Sequence, residues 1–150
     1  MQTITVTSEL EASPGRVWEA VQSPVTFVYV VRGLFGVPLL AGRSDKVQPG
    51  ESGKGWLFLF HVVPFSRHTI NIVEIDHDTM TMRTNEHGGM IRAWNHTLHV
   101  EPLGAGRSRY SDTVEIDAGA LTPVVCRVAT GIYRYRHRRW RKLVRKHLQS

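Results

Sequence analysis

Between Gly55 and Ala118 the chain divides into strand-length segments separated by turn residues, and this constrains the fold more than any other feature. GWLFLFHVV, RHTINIVEI, TMTMRTNE, MIRAWNHTLHVE and RSRYSDTVEID are divided by PFS, DHD, HGG and PLGAG. Connections this short cannot carry a parallel crossover, so neighbouring strands run antiparallel as a meander.

The flanking segments complete the pattern. Thr3 to Leu10 alternates, with Ile4, Val6 and Leu10 on one side and polar residues on the other, the period of a half-buried strand. In SPGRVWEAVQ, Ser13 suits an N-cap, Pro14 the first helical position, and Val17, Trp18 and Val21 share a face. The stretch PVTFVYVVRGLFG fits a second short helix or an extended segment, because its β-branched content opposes its helical spacing. Gly33, Gly36, Pro38 and Gly42 then break the pattern, and KVQPGESGKG reads as a solvent turn.

After Gly119 an apolar stripe recurs at Val125, Val128 or Ala129, Ile132 or Tyr133, Trp140, Leu143 or Val144, and His147 or Leu148. Thr122 before Pro123 is a suitable cap, and a helix over about 122–148 would run roughly 40 Å at ~1.5 Å per residue. The order β, α, α, meander, long α predicts an α+β fold with helices on one face of an antiparallel sheet, in a single domain over 1–150. A curved sheet and a long straight helix cannot touch along their whole length, so a pocket is expected between them.

Several chemistries lack their signatures. The single cysteine, Cys126, allows no intrachain disulfide and no cysteine-rich zinc site, and reads as a small buried hydrophobe. Eight histidines offer neither an HxH on one strand nor HExxH, so no metal site is expected. There is no GxSxG, no phosphate-cradling or dinucleotide glycine loop, and hence no expected cofactor; HGG at His87 to Gly89 reads as a hairpin turn. The N-terminus has neither a basic leader nor an apolar core, and no uncharged stretch approaches the ~20 residues needed to span a bilayer, so a cytosolic protein is expected.

Candidate site residues come from the last hairpin and the last helix. On one parity Met90, Trp94, Leu98 and Val100 face Tyr110, Val114 and Ile116, which puts Arg92, His96 and Asp112 on the same inner face. One residue fewer in the turn would swap the faces. Inward Asp112 near His96 or Arg92 is either a buried structural network or a set of groups that orients a ligand or moves a proton. On β-strand GWLFLF, Trp56, Phe58 and Phe60 share a parity while Leu57 and Leu59 take the other, as for simple core or for a strand facing a cavity.

Charge is concentrated at one end. Thirteen acidic residues stand against eleven basic ones up to Tyr133, whereas beyond it there are eight basic residues and no acid. On the helix, Tyr133, Arg136 and Trp140 lie along the inner stripe, while Arg134, Arg138, Arg141, Lys142 and Arg145 project elsewhere. Most of this charge reads as a solvated face that also suits a helix C-terminus. Holding an anionic membrane surface through Arg138, Arg141, Lys142 and Arg145 is a functional alternative, and nucleic acid a weaker one. Arg136, between Tyr133 and Trp140, is placed to pair with Asp112 or a ligand carboxylate.

ITVTSELEASPGRVWEAVQSP, HGGMIRAWNHTLHVEPLGAGRSRYSDTVEIDAG and the terminal helix with YRYRHRRW together resemble the START-like superfamily, also called SRPBCC or helix-grip, in its polyketide cyclase/dehydrase-like branch. The resemblance covers nearly the whole chain and implies about seven antiparallel strands gripping the last helix around a hydrophobic cavity. It implies no single function, since members bind lipids, sterols and polyketides and only some are catalysts. The basic helix end departs from the general pattern. The expected function is therefore binding of a lipid, isoprenoid or polyketide-like molecule, walled by Trp56, Phe58, Phe60, Trp94, Tyr110 and Tyr133 and anchored by His96, Asp112 and Arg136. The alternative uses Asp112 and His96 as acid and base in a cyclase or dehydratase.

Overall fold

The computed structural model describes residues 1–36, 45–59 and 63–148, with backbone alone at 35–36, 56–59 and 63–67. Its elements are β1 (Gln2–Leu10), α1 (Pro14–Val21), α2 (Pro24–Val31), β2 (Phe35–Gly36), β3 (Ser52–Leu59), β4 (Val63–Asp76), β5 (Thr81–Gly88), β6 (Ile91–Gly104), β7 (Arg107–Asp117) and α3 (Thr122–Leu143). The seven strands form one antiparallel sheet in the order β1-β7-β6-β5-β4-β3-β2. The expected meander is thus present, and the first strand closes beside the last.

Irregularities interrupt the ladders at Leu57/Phe58, Ile72/Glu74, Glu86/Gly88 and Pro102/Gly104. Each bends and twists its strand, which curves the sheet around α3. The helix packs against β1, β7 and α2. At one end of the interface Leu10, Val17, Val30, Tyr110, Trp140 and Val144 form a core; at the other Val114, Ile116, Ala129 and Tyr133 form a second. Fully burying such a side chain stabilises by about 1.5–3 kcal/mol.

Several local expectations change. PFS is not a turn: β4 begins at Val63 and Pro64 pairs with Phe58 at a ladder irregularity, a position that tolerates a residue without an N–H. Pro24–Val31 is helical, because Pro24 starts a turn whose Val30 and Val31 are buried. Ser13 occupies the N-cap of α1, but its hydroxyl makes no capping bond. Thr122 bonds backward instead, accepting from the Ala118 N–H at 2.9 Å and donating to the Gly119 carbonyl at 2.7 Å. Along α3 the buried choices are Ala129 and Tyr133, while Val128 is exposed; both Leu143 and Val144 are buried. The chain continues helically to Leu148, but Val144–Leu148 widens to π geometry, which leaves His147 exposed and Leu148 half-buried.

Candidate functional site

The last hairpin sets the site. His96 pairs with Val114 and Asp112 with Leu98, and all four lie on the buried face with Tyr110 and Val100. Turn residue Met90 is 61% exposed, since β6 begins at Ile91, and so does not join that face. Arg92 is exposed too; its guanidinium lies against Gly119, where a Cβ would come within 3.3 Å of Nη2.

Asp112 is 1% exposed and serves as acceptor to three donors. Oδ1 receives His96 Nε2–H at 2.6 Å and the Tyr110 hydroxyl at 3.0 Å, while Oδ2 receives His137 Nε2–H at 2.7 Å. Burial works against this carboxylate, but the charge of His96 and the hydrogen bonds from both histidines outweigh it, holding the acid well below its ordinary range. Burial and the adjacent Asp112 charge push the Tyr110 phenol well above its usual value, so it remains a donor. Of the two partners expected for Arg136, Asp112 or a ligand carboxylate, Asp112 does not pair with it; both of its carboxylate oxygens already carry donors.

His137 is the member that sequence reasoning missed. It is 1% exposed, and its Nδ1 lies 2.7 Å from Oγ of buried Ser8 on β1. Arg141 Nη1 reaches the same Ser8 oxygen at 3.4 Å, so hydrogen bonds run unbroken from His96 through Asp112, His137 and Ser8 to the side of α3. A signal existed: His137 lies four residues after Tyr133 and three before Trp140, on the stripe itself.

The other edge of His96 is less committed. Its Nδ1 is 3.5 Å from the Tyr133 hydroxyl, which already accepts the Trp94 indole N–H at 3.1 Å, and 3.9 Å from Oε2 of Glu86. Glu86 was also missed. It stands opposite Trp94 on β5, sharing parity with buried Met82 and Thr84, and binds His68 Nε2 at 3.1 Å and the Thr84 hydroxyl at 2.9 Å. Burial opposes the Glu86 charge, yet the His68 bond and the charges of His96 and His68 hold its carboxyl below the ordinary value.

Arg136 is 7% exposed, with its guanidinium carbon 4.8 Å from the Tyr133 ring centroid and 5.4 Å from that of Phe27. Burial works against its charge, but Tyr133, Asp112, Tyr110 and Glu86 around it hold the guanidinium pKa above normal. Burial raises the Tyr133 phenol far above its usual range although Arg136 opposes this. Among the described residues no carboxylate pairs with Arg136, and its Nε has no hydrogen-bond partner; neither does Nε1 of buried Trp140.

These groups meet at a cavity of ≈ 200 Å³ between α2, α3 and the sheet. Phe27, Val30, Ile72, Met82 and Leu98 supply apolar wall, and Thr84, Glu86, His96, Tyr110, Arg136 and Trp140 gather the polar end. The volume is below the ~300–1,000 Å³ of drug-sized sites. Of the sequence candidates, His96, Tyr110 and Arg136 line this cavity, whereas Trp94, Asp112 and Tyr133 stand behind it as supports. Trp56 and Phe58 lie on β3 with their side chains outside the described residues, as does all of Phe60. Among the described residues no group of His, Cys, Asp and Glu converges to hold a metal ion. No described helix is long and apolar enough to cross a membrane. Arg134, Arg138, Arg141 and Arg145 are exposed and Lys142 half-buried.

The fold is shared with solved structures. Norcoclaurine synthase from Thalictrum flavum, in complex with dopamine and hydroxybenzaldehyde, superposes with a TM-score of 0.71 at 15% identity, covering 99% of this chain and 89% of that one. A START superfamily protein from Mycobacterium smegmatis gives 0.72 at 13% identity over 96% and 97%. A Chromobacterium violaceum protein gives 0.72 at 18% over 96% and 98%. Likeness at these identities carries the START-like, helix-grip fold and no branch within it. No curated protein matches the sequence. The family described as Domain of unknown function (DUF8410) matches residues 8–144, nearly the whole folded span, and the chain belongs to that family.

Proposed function

We propose that the cavity binds a small amphipathic molecule whose acidic group pairs with Arg136 and whose apolar body lies against Phe27, Val30, Met82 and Leu98. One observation carries this reading: a buried, charged guanidinium on the cavity wall has no carboxylate partner among the described residues and an unpartnered Nε, with a second unpartnered donor at Trp140. Leaving buried donors unmade costs about 1–3 kcal/mol each, more for charged groups, and a ligand bearing acceptor oxygens removes that cost. Asp112 cannot serve, being held by His96, His137 and Tyr110.

The volume of ≈ 200 Å³ supports a single-ring or short-chain acid rather than a sterol or long acyl chain. The dopamine and hydroxybenzaldehyde bound by norcoclaurine synthase are of this single-ring size. In this reading Arg138, Arg141, Lys142 and Arg145 form a solvated face at a helix C-terminus. Native mass spectrometry of freshly purified protein, followed by solvent extraction, tests the proposal. A retained or readily taken-up small acid is expected; retention only of neutral, long-chain lipids would refute it.

A further inference from the structure

We infer that the cavity also catalyses proton transfer on its ligand, with Nδ1 of His96 as the base and a 2-oxo acid with an apolar tail as the substrate class. This rests on the reading of Arg136 as an anion anchor. Nε2 of His96 is committed to Asp112 at 2.6 Å, which fixes the ring's orientation and, in the neutral ring, places the lone pair on Nδ1. Asp112 is itself held by Tyr110 at 3.0 Å and His137 at 2.7 Å, so the imidazole is oriented from behind by buried, hydrogen-bonded groups. His96 and Arg136 line the same ≈ 200 Å³ space, with Glu86 and Thr84 beside them. Among the described residues Nδ1 meets the Tyr133 hydroxyl at 3.5 Å and Glu86 at 3.9 Å, and His96 forms part of the cavity wall.

A 2-oxo acid matches the polar end. Its carboxylate and adjacent keto oxygen can both take N–H groups of one planar guanidinium, while the carbon beyond the keto group carries acidic hydrogens. In the step, a C–H bond at that carbon breaks and its proton goes to Nδ1 of His96. The electron pair moves into the carbon framework and the C=O π pair onto oxygen, giving an enolate beside the Arg136 charge. The imidazolium then returns the proton to oxygen, completing keto-to-enol conversion, or trades it for a solvent deuteron and delivers that to carbon, completing exchange. The first course needs no further reactant, and the second only solvent.

The test uses phenylpyruvate as the probe in D2O, with proton NMR following loss of the C3 hydrogens and calorimetry measuring binding. Binding is expected, with exchange 10²- to 10⁴-fold faster than in buffer and directed to one of the two C3 hydrogens. His96→Gln keeps an N–H donor for Asp112 while removing the Nδ1 lone pair, and is expected to bind phenylpyruvate but exchange it at the buffer rate. Absence of binding would overturn the anion-anchor reading and this inference together. Binding with exchange at the buffer rate, or accelerated exchange preserved in His96→Gln, would overturn the acid–base role alone. Should His96→Gln fail to fold, the rate and one-sided exchange in the unaltered protein decide the matter.

Discussion

His96 donates Nε2–H to Asp112 across a 2.6 Å hydrogen bond, joining β6 to β7 inside the sheet's buried face. That bond fixes an imidazole on the wall of the cavity, and the second oxygen of the same carboxylate fixes His137 on α3. One carboxylate thus ties the sheet to the long helix. Apolar packing is non-directional; the bonds of His137 to Asp112 and to Ser8 fix the helix register against the sheet.

Replacing Asp112 with asparagine removes the buried charge and turns an amide N–H toward at least one of the three donors already aimed at it. The expected cost is about 3–5 kcal/mol, the range for breaking a buried ionic network from one side. Urea unfolding of Asp112→Asn against the unaltered protein measures it. A change under about 1 kcal/mol would show that the network adds little to stability.

Stability should fall in acid for the same reason. The Asp112 and Glu86 carboxyls are held below their ordinary values in the fold, although burial opposes both. Their contribution is complete above the unfolded values, about 3.9 and 4.3, and is lost as pH falls below about 4 through the lower folded values. Thermal unfolding between pH 6 and pH 3 should show a loss of stability that is smaller in Asp112→Asn. Equal slopes would assign the acid sensitivity to other carboxylates.

Gly33 follows α2 with a φ of +95°, and a Cβ there would lie 2.6 Å from the hydroxyl oxygen of Tyr135. The Tyr135 hydroxyl donates to the Arg32 carbonyl, so it cannot withdraw without losing that bond. Gly33→Ala is expected to cost about 1–3 kcal/mol from backbone strain and contact together. Adding Tyr135→Phe should return part of it, which a double-mutant cycle by urea unfolding would read.

Much of this arrangement was legible in the sequence where polarity alternated cleanly. TLHVEP and SRYSDTVEID each offered one inward parity, and the long hairpin kept it, so His96, Tyr110 and Asp112 fell where the alternation put them. At the other end of β6, beside the β5–β6 turn, the same parity failed, because the turn takes up Met90 and Arg92 is exposed. His137 sat unnoticed among arginines, although its spacing from Tyr133 and Trp140 is that of the buried stripe; its residue type, not its position, hid it. The inward position of Arg136 between Tyr133 and Trp140 left Asp112 or a ligand carboxylate as its expected partner. Charge counting could not reveal that two histidines and a tyrosine would reach the carboxylate first.

Whether Arg136 anchors an acidic ligand is read by calorimetric titration of phenylpyruvate and of its neutral counterpart, benzyl methyl ketone, into the unaltered protein and Arg136→Met. A hydrogen-bonded charge of about 1.5–3 kcal/mol corresponds to roughly 10- to 150-fold in affinity. The acid is expected to bind more tightly than the ketone by about that factor, and Arg136→Met to erase the difference. Equal affinities for the two, or a preference for the acid undiminished in Arg136→Met, would contradict the anchoring role of Arg136.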